Sequence, residues 1–151
     1  MFKSLKYLNN LFNVNSNKLT SSSVAQHNSV VLKADTGASR HYFRKQDTSI
    51  LKNVTKIKNG AKVHLPNNAV LESMMKGTLP FPGLSNKATE VQILPTLTNT
   101  SLLSVGQLYN NNCTAIFTPT EMIIIKGGQI ILRGQRNFTD GLWDVTCTGT
   151  R

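Results

Sequence analysis

From Ser29 onward the chain is a succession of short, β-branched apolar runs separated by turn residues. Val30 to Ala34 predicts a strand that runs into Asp35, and Ser39 to Phe43 predicts a short extended continuation. Ala61 to Leu65 alternates around Val63 and Leu65, Pro66-Asn67-Asn68 is turn chemistry, and Ala69-Val70-Leu71 begins a returning strand. That stretch reads as a hairpin with a polar tip. Thr78 to Phe81 and Glu90 to Leu94 are further strands, separated by Pro82-Gly83, and Pro80 and Pro82 place the first of them at a sheet edge.

The pattern changes at Ser101 to Tyr109. Leu102, Val105 and Tyr109 fall on one helical face and Asn110-Asn111-Asn112 offers a stop, which predicts the one substantial helix. Thr114 to Phe117, Glu121 to Lys126 and Gln129 to Arg133 return to strand character, with Gly127-Gly128 as a two-residue turn between the last two. Gly141 to Val145 predicts a closing strand with Trp143 as its apolar anchor. Short strands with frequent turns predict an all-β barrel or a close relative.

Residues 1 to 27 stand apart. Asn, Ser and Lys dominate, and the first acidic residue of the chain is Asp35. Phe2, Leu5, Leu8 and Phe12 could share a helical face beside Lys3 and Lys6, but the segment lacks the arginine of a transit peptide. The expectation is a disordered or linker-like basic lead-in. With 151 residues, the chain has room for one domain and little more.

Charge adds a candidate partner. Lys and Arg number 17 against 7 Asp and Glu, a net +10 that favours anionic partners, nucleic acid above all, or life beside one. The basic residues are scattered, without the interleaved aromatics of a stacking platform. Two cysteines, Cys113 and Cys147, form no CxxC pair and have no clustered His, so no zinc knuckle or finger is expected. Two unpaired thiols fit a reducing, intracellular and cytoplasmic setting. No apolar run approaches the ~18 residues that span a bilayer.

The candidate chemistry sits where the first strand ends. Ala34-Asp35-Thr36-Gly37-Ala38 delivers one carboxylate into a tight turn, where backbone amides can hold it and glycine lets a ligand or another chain approach. His41 lies near that turn, but no cysteine or second histidine accompanies it at metal spacing, so a structural role is expected.

Ala34-Asp35-Thr36-Gly37-Ala38-Ser39-Arg40-His41-Tyr42 resembles the protease motif of Ty1/copia-type retrotransposon Gag-Pol polyproteins. Val63-His64-Leu65-Pro66-Asn67-Asn68 resembles the hairpin that comes next in those proteins. Ser101-Leu102-Leu103-Ser104-Val105-Gly106-Gln107-Leu108 is similar to their Leu-Leu-Ser-x-x-Gln-Leu signature. Ile131-Leu132-Arg133-Gly134 and Gly141-Leu142-Trp143 are similar to the end of the segment that precedes their integrase.

The resemblance implies an all-β, retropepsin-like closed barrel over 28–117, with one short helix, and a β-hairpin extension over 118–151. It implies an aspartic endopeptidase acting on a polyprotein as a homodimer, because one chain carries one Asp-Thr-Gly. Asp47-Thr48-Ser49 lacks the glycine and Asp140-Gly141 lacks the hydroxyl. In these terms Asp35 is the catalytic carboxylate, Thr36 braces the two loops, and Gly37 and Ala38 let the turn pack and the substrate approach. Pro66, Asn67, Asn68 and Ala69 are the candidate flap tip. Ser104 stands where retropepsins usually have glycine. No metal or organic cofactor is called for, since paired carboxylates activate water themselves. An inactive relic of such a protease, and a basic nucleic-acid-associated segment of the polyprotein, remain as alternatives.

Overall fold

The computed structural model describes residues 28–149. The expected helical face of Phe2, Leu5, Leu8 and Phe12, and the expected linker over 1–27, lie outside the described residues. The described chain is all-β. Its strands are β1 (Ser29–Asp35), β2 (His41–Phe43), β3 (Lys52–Lys56), β4 (Lys62–His64), β5 (Val70–Glu72), β6 (Met75–Thr78), β7 (Glu90–Ile93) and β8 (Ser101–Ser104), then β9 (Thr114–Phe117), β10 (Glu121–Lys126), β11 (Gln129–Asn137) and β12 (Leu142–Thr148). Two short helices, α1 (Asn86–Thr89) and α2 (Val105–Tyr109), and a 3-10 helix over Lys45–Ile50 interrupt them.

Ten strands form one sheet in the order β3-β6-β7-β2-β8-β1-β12-β11-β10-β9, and β4 and β5 form a separate two-stranded sheet. β1 lies inside the larger sheet, parallel to β8 and antiparallel to β12. Its sequence explains that place. Val30, Leu32 and Ala34 point into the core, while Val31, Lys33 and Asp35 point to the other face. β8 is buried along its whole length, as a strand covered on both faces should be.

Residues 118–149 share this core. Met122, Ile124, Leu132, Val145 and Cys147 cluster with Leu32, Phe43, Val91, Ile93 and Leu103 in one buried group. Each fully buried aliphatic side chain there stabilises the fold by roughly 1.5–3 kcal/mol relative to leaving it in water. The boundary expected after Phe117 falls in the turn between β9 and β10, which pair with each other. Gly127 and Gly128 both take positive φ in the tight turn from β10 to β11, the conformation that such a turn demands. Gly134 is needed for a different reason: a Cβ there would lie 2.9 Å from both Met122 Cγ and Val145 Cγ2.

Three expectations need correction. The helix predicted over Ser101 to Tyr109 is half strand, since Ser101–Ser104 is β8 and only Val105–Tyr109 is helical. A short, fully buried apolar run carries no periodicity that separates strand from helix. Leu102 is therefore a sheet residue, and Tyr109 is 60% exposed. Nor is α2 alone, because α1 and the 3-10 helix accompany it. The strand predicted over Thr78 to Phe81 is instead β6, Met75–Thr78, and it is paired on both sides by β3 and β7. It ends before Pro80 and Pro82, which lack the amide hydrogen that a ladder requires.

The other predicted strands keep their places, β11 and β12 run longer than expected, to Asn137 and Thr148, and β3 over Lys52–Lys56 was not predicted. The ten-stranded order has two ends, β3 and β9. Asp47 belongs to the 3-10 helix, where it binds Arg44 through two hydrogen bonds of 2.7 and 2.9 Å and accepts 2.6 Å from Ser101 Oγ. Cys113 and Cys147 are both buried and unpaired. Among the described residues no helix is long and apolar enough to cross a membrane.

Candidate active site

Asp35 is the last residue of β1 and lies in register with Ser104, the last residue of β8. The chain turns at once, and the turn folds back on the carboxylate. Gly37 N–H donates to Asp35 Oδ1 at 2.7 Å and Ala38 N–H donates to the same oxygen at 3.2 Å. Such charge-assisted bonds fix the direction of the side chain. Ala38 is buried, whereas Thr36 and Gly37 are exposed.

Asp35 opens into a cleft of about 440 Å³. Thr36 lies on its rim, Leu102, Phe117, Leu142 and Trp143 supply apolar wall, and Lys33 and Asp140 supply charge. Phe117 and Trp143 meet edge to face, with ring centroids 4.9 Å apart. Arg136 stacks on the Trp143 ring at 5.5 Å. Lys33 sits two residues before Asp35, hence on the same side of β1. It pairs with Asp140 at 2.5 Å and also with Asp144. Burial pulls the Lys33 ammonium down, but the two carboxylates outweigh burial and leave its pKa raised. Asp140 thus stands in the same cleft as Asp35, with a lysine held against it.

The hairpin β4-β5 lies beside the turn. Its Val63 and Leu71 pack on a small apolar cluster of Ala38, Tyr42, Leu94, Leu97 and Leu102. A second cleft, of about 210 Å³, runs between the turn at Gly37, Ala38 and Ser39 and the hairpin stem at Lys62, Val63 and His64. The tip is formed as expected by Pro66, Asn67, Asn68 and Ala69, all exposed. Asn67 Oδ1 accepts from Ala69 N–H at 3.0 Å, and Asn68 takes a positive φ of 64°. The hairpin stem and the Asp35 turn are therefore neighbours, and Leu102 borders both clefts.

His41 is fully buried, and its two ring nitrogens are both engaged. Ser104 N–H donates to Nδ1 at 2.8 Å, and Nε2 lies 2.8 Å from the Ala88 carbonyl. A carbonyl can only accept, so the hydrogen sits on Nε2 and the ring is neutral. Burial lowers its pKa to about 4, against the smaller opposing effect of the Ala88 carbonyl. Gln107 ties the same region. Its Oε1 accepts from His41 N–H at 2.8 Å, and its Nε2 donates to the carbonyls of Lys87 and Glu90 at 2.9 Å each. Burial pushes the Cys147 thiol up to about 12 and raises that of Cys113, so neither is a thiolate nucleophile near neutral pH.

Sequence reasoning located the turn and the hairpin and missed the cleft. Lys33 was readable from the period of two, which puts it on the Asp35 side. Phe117, Asp140, Leu142 and Trp143 carried no such signal, since pairing of β12 with β1 brings the last three there and Phe117 of β9 arrives by packing on Trp143. Among the described residues no group of three or more His, Cys, Asp or Glu is placed to hold a metal ion. Comparison with family models, with curated proteins and with solved structures gives no match.

Proposed function

We propose that this chain is half of a retropepsin-like aspartic endopeptidase of a Ty1/copia-type retrotransposon polyprotein. The observation that supports this most is the Asp35 turn: a carboxylate at the end of an interior strand, gripped by two amides of its own Asp-Thr-Gly-Ala sequence, and opening into a partly apolar cleft. A flap role for the adjoining hairpin is supported by its stem, which borders a cleft beside the turn.

Peptide hydrolysis by carboxylates needs a base that takes a proton from water and an acid that gives one to the carbonyl oxygen and then to the leaving amine. Two carboxylates a few ångströms apart share one proton, because both cannot be ionised comfortably, and the pair serves both roles. The other carboxylate of this cleft, Asp140, is paired with Lys33. The second catalytic carboxylate is therefore the Asp35 of a twofold-related copy, with Thr36 bracing the two turns, and the water lies between them. The Pro66 to Ala69 tip closes over the peptide. The apolar wall of Leu102, Phe117, Leu142 and Trp143 receives a substrate side chain next to the scissile bond.

The test is direct. The purified chain is incubated with a peptide spanning a junction of the parent polyprotein, with and without Asp35→Ala. Cleavage by the wild type is expected to disappear in the variant and to be competed by a statine-type inhibitor. Undiminished cleavage by Asp35→Ala would sink the proposal. A dimer that cleaves nothing at any pH would favour the relic, and salt-dependent binding of RNA or DNA with Asp35 dispensable would favour the basic polyprotein segment.

A further inference from the structure

Ser104 is engaged at every polar group that it can direct toward the turn. Its amide donates to His41 Nδ1 at 2.8 Å, its hydroxyl donates to the Ala38 carbonyl at 2.5 Å, and the same oxygen accepts from Gln107 N–H at 2.9 Å. The direction of the hydroxyl is forced, since the Ala38 carbonyl can only accept. Ala38 is consequently held at both ends of its residue: its N–H points at the Asp35 carboxylate and its C=O is bound by Ser104. The path from His41 through Ser104 ends on Ala38, whose N–H joins that of Gly37 in holding Asp35 Oδ1.

We propose that Ser104 is the positioning residue of the Asp35 turn, and that His41 and Gln107 hold Ser104 for that task. The inference rests on the protease reading for its catalytic consequence, but its geometric content stands by itself. A serine here is also an ordinary helix cap, and the bond from Gln107 N–H is that cap. A cap needs only an acceptor. Donation to Ala38, from a residue in register with Asp35, is a second task that capping does not require. It gives a reason for serine where retropepsins carry glycine: the hydroxyl reaches across to the turn, which no glycine can do.

The network extends to further elements. His41 sits on β2 with its ring against α1 through Ala88, and Gln107 of α2 binds the backbone of α1 and β7. Ser104 is thus bonded directly to His41, Ala38 and Gln107, and through His41 and Gln107 it is tied to α1 and β7, the kind of anchoring that holds a catalytic group within a fraction of an ångström.

The experiment compares the full chain with Ser104→Ala and Ser104→Thr. Two readouts are taken: kcat per active site titrated with a tight-binding statine-type inhibitor, and hydrogen exchange of the Ala38 amide. Ser104→Ala is expected to lower kcat about a hundredfold with KM little changed, because a small misplacement of a reacting group has that effect. Its Ala38 amide should exchange about tenfold faster, and Ser104→Thr, which keeps the hydroxyl, should restore both. A merely structural serine would reduce the number of active sites and leave kcat per site alone. Unchanged Ala38 exchange in Ser104→Ala overturns the proposal whether or not the wild type cleaves anything. Absent wild-type cleavage overturns only the protease reading. Should Ser104→Ala not fold, Ser104→Cys, with a weaker donor of nearly the same shape, takes its place and should show an intermediate loss; wild-type values there overturn the proposal equally.

Discussion

The Asp35 turn and the 62–72 hairpin are neighbours built on opposite principles. The turn is a few residues of loop, yet its Ala38 carbonyl is bound at 2.5 Å by Ser104 of β8, which is itself tied to His41 of β2 and Gln107 of α2 by bonds of 2.8 and 2.9 Å that are buried or partly buried. The hairpin has three register pairs and its own two-stranded sheet. One residue of each of its strands is half-buried and the rest are exposed. It packs on the body through Val63 and Leu71, and Leu65 beside its tip is buried as well. A two-stranded hairpin by itself is marginal in water, so opening this one costs little. Under the proposed protease function, this is a division of labour: the chemistry is placed where motion is suppressed, and access is placed where motion is cheap.

The contrast breaks most violently on the embedded side. Removing residues 118–151 strips β1 of its partner β12 and takes Met122, Ile124, Leu132, Val145 and Cys147 from the core. The truncated chain should lose its cooperative unfolding transition altogether, as followed by circular dichroism on heating. A sharp melt of the 28–117 piece would show instead that the segment after Phe117 is an appendage.

Acid attacks the same side more gently. Folded His41 is neutral with a pKa of about 4, whereas the unfolded chain takes up that proton near 6.5. Below pH 6.5 the unfolded state binds a proton that the folded state refuses, so stability falls as pH drops from 6.5 to about 4 and is unaffected above that window. The full loss is about 3 kcal/mol. Denaturant unfolding at pH 7 and pH 4 measures it, and His41→Asn should flatten that part of the slope. Amides of β4 and β5, which exchange through local opening, should change far less over the same range.

The smallest effect belongs to the hairpin tip. Asn67→Ala removes the bond to Ala69 N–H and leaves the core untouched. Global stability should move by less than about 0.5 kcal/mol, while exchange at the tip speeds up. A global loss comparable to that from protonating His41 would place the hairpin inside the cooperative core and erase the distinction.

Much of this was readable in the residues. The β-branched apolar run from Val30 to Ala34 predicted β1, Pro66-Asn67-Asn68 predicted the hairpin turn, and Gly127-Gly128 predicted the turn into β11. Each is a local property, set by side-chain type or by the backbone angles that a residue permits. Ser101 to Ser104 misled because total burial removes the alternation by which a strand announces itself. Thr78 to Phe81 misled because the prolines that look like an edge stand just beyond an interior strand. His41 was expected to be structural for want of metal partners; its actual partners, Ser104 and Ala88, are not residues that a metal motif would include.

The sequence by itself determined that one carboxylate ends one strand in a tight turn, and that a polar-tipped hairpin comes after it. Those outcomes need only neighbours along the chain. Tertiary structure decided what holds that turn and what faces it. His41 and Ser104 are 63 positions apart, and Ser104 and Ala38 are 66 apart, so no spacing rule joins them. The cleft likewise exists only because β12 pairs with β1 and carries Asp140 and Trp143 to the side of Asp35. Strand pairing is non-local, and its register is chosen by burial of the whole core, a sum that no single stretch of residues contains.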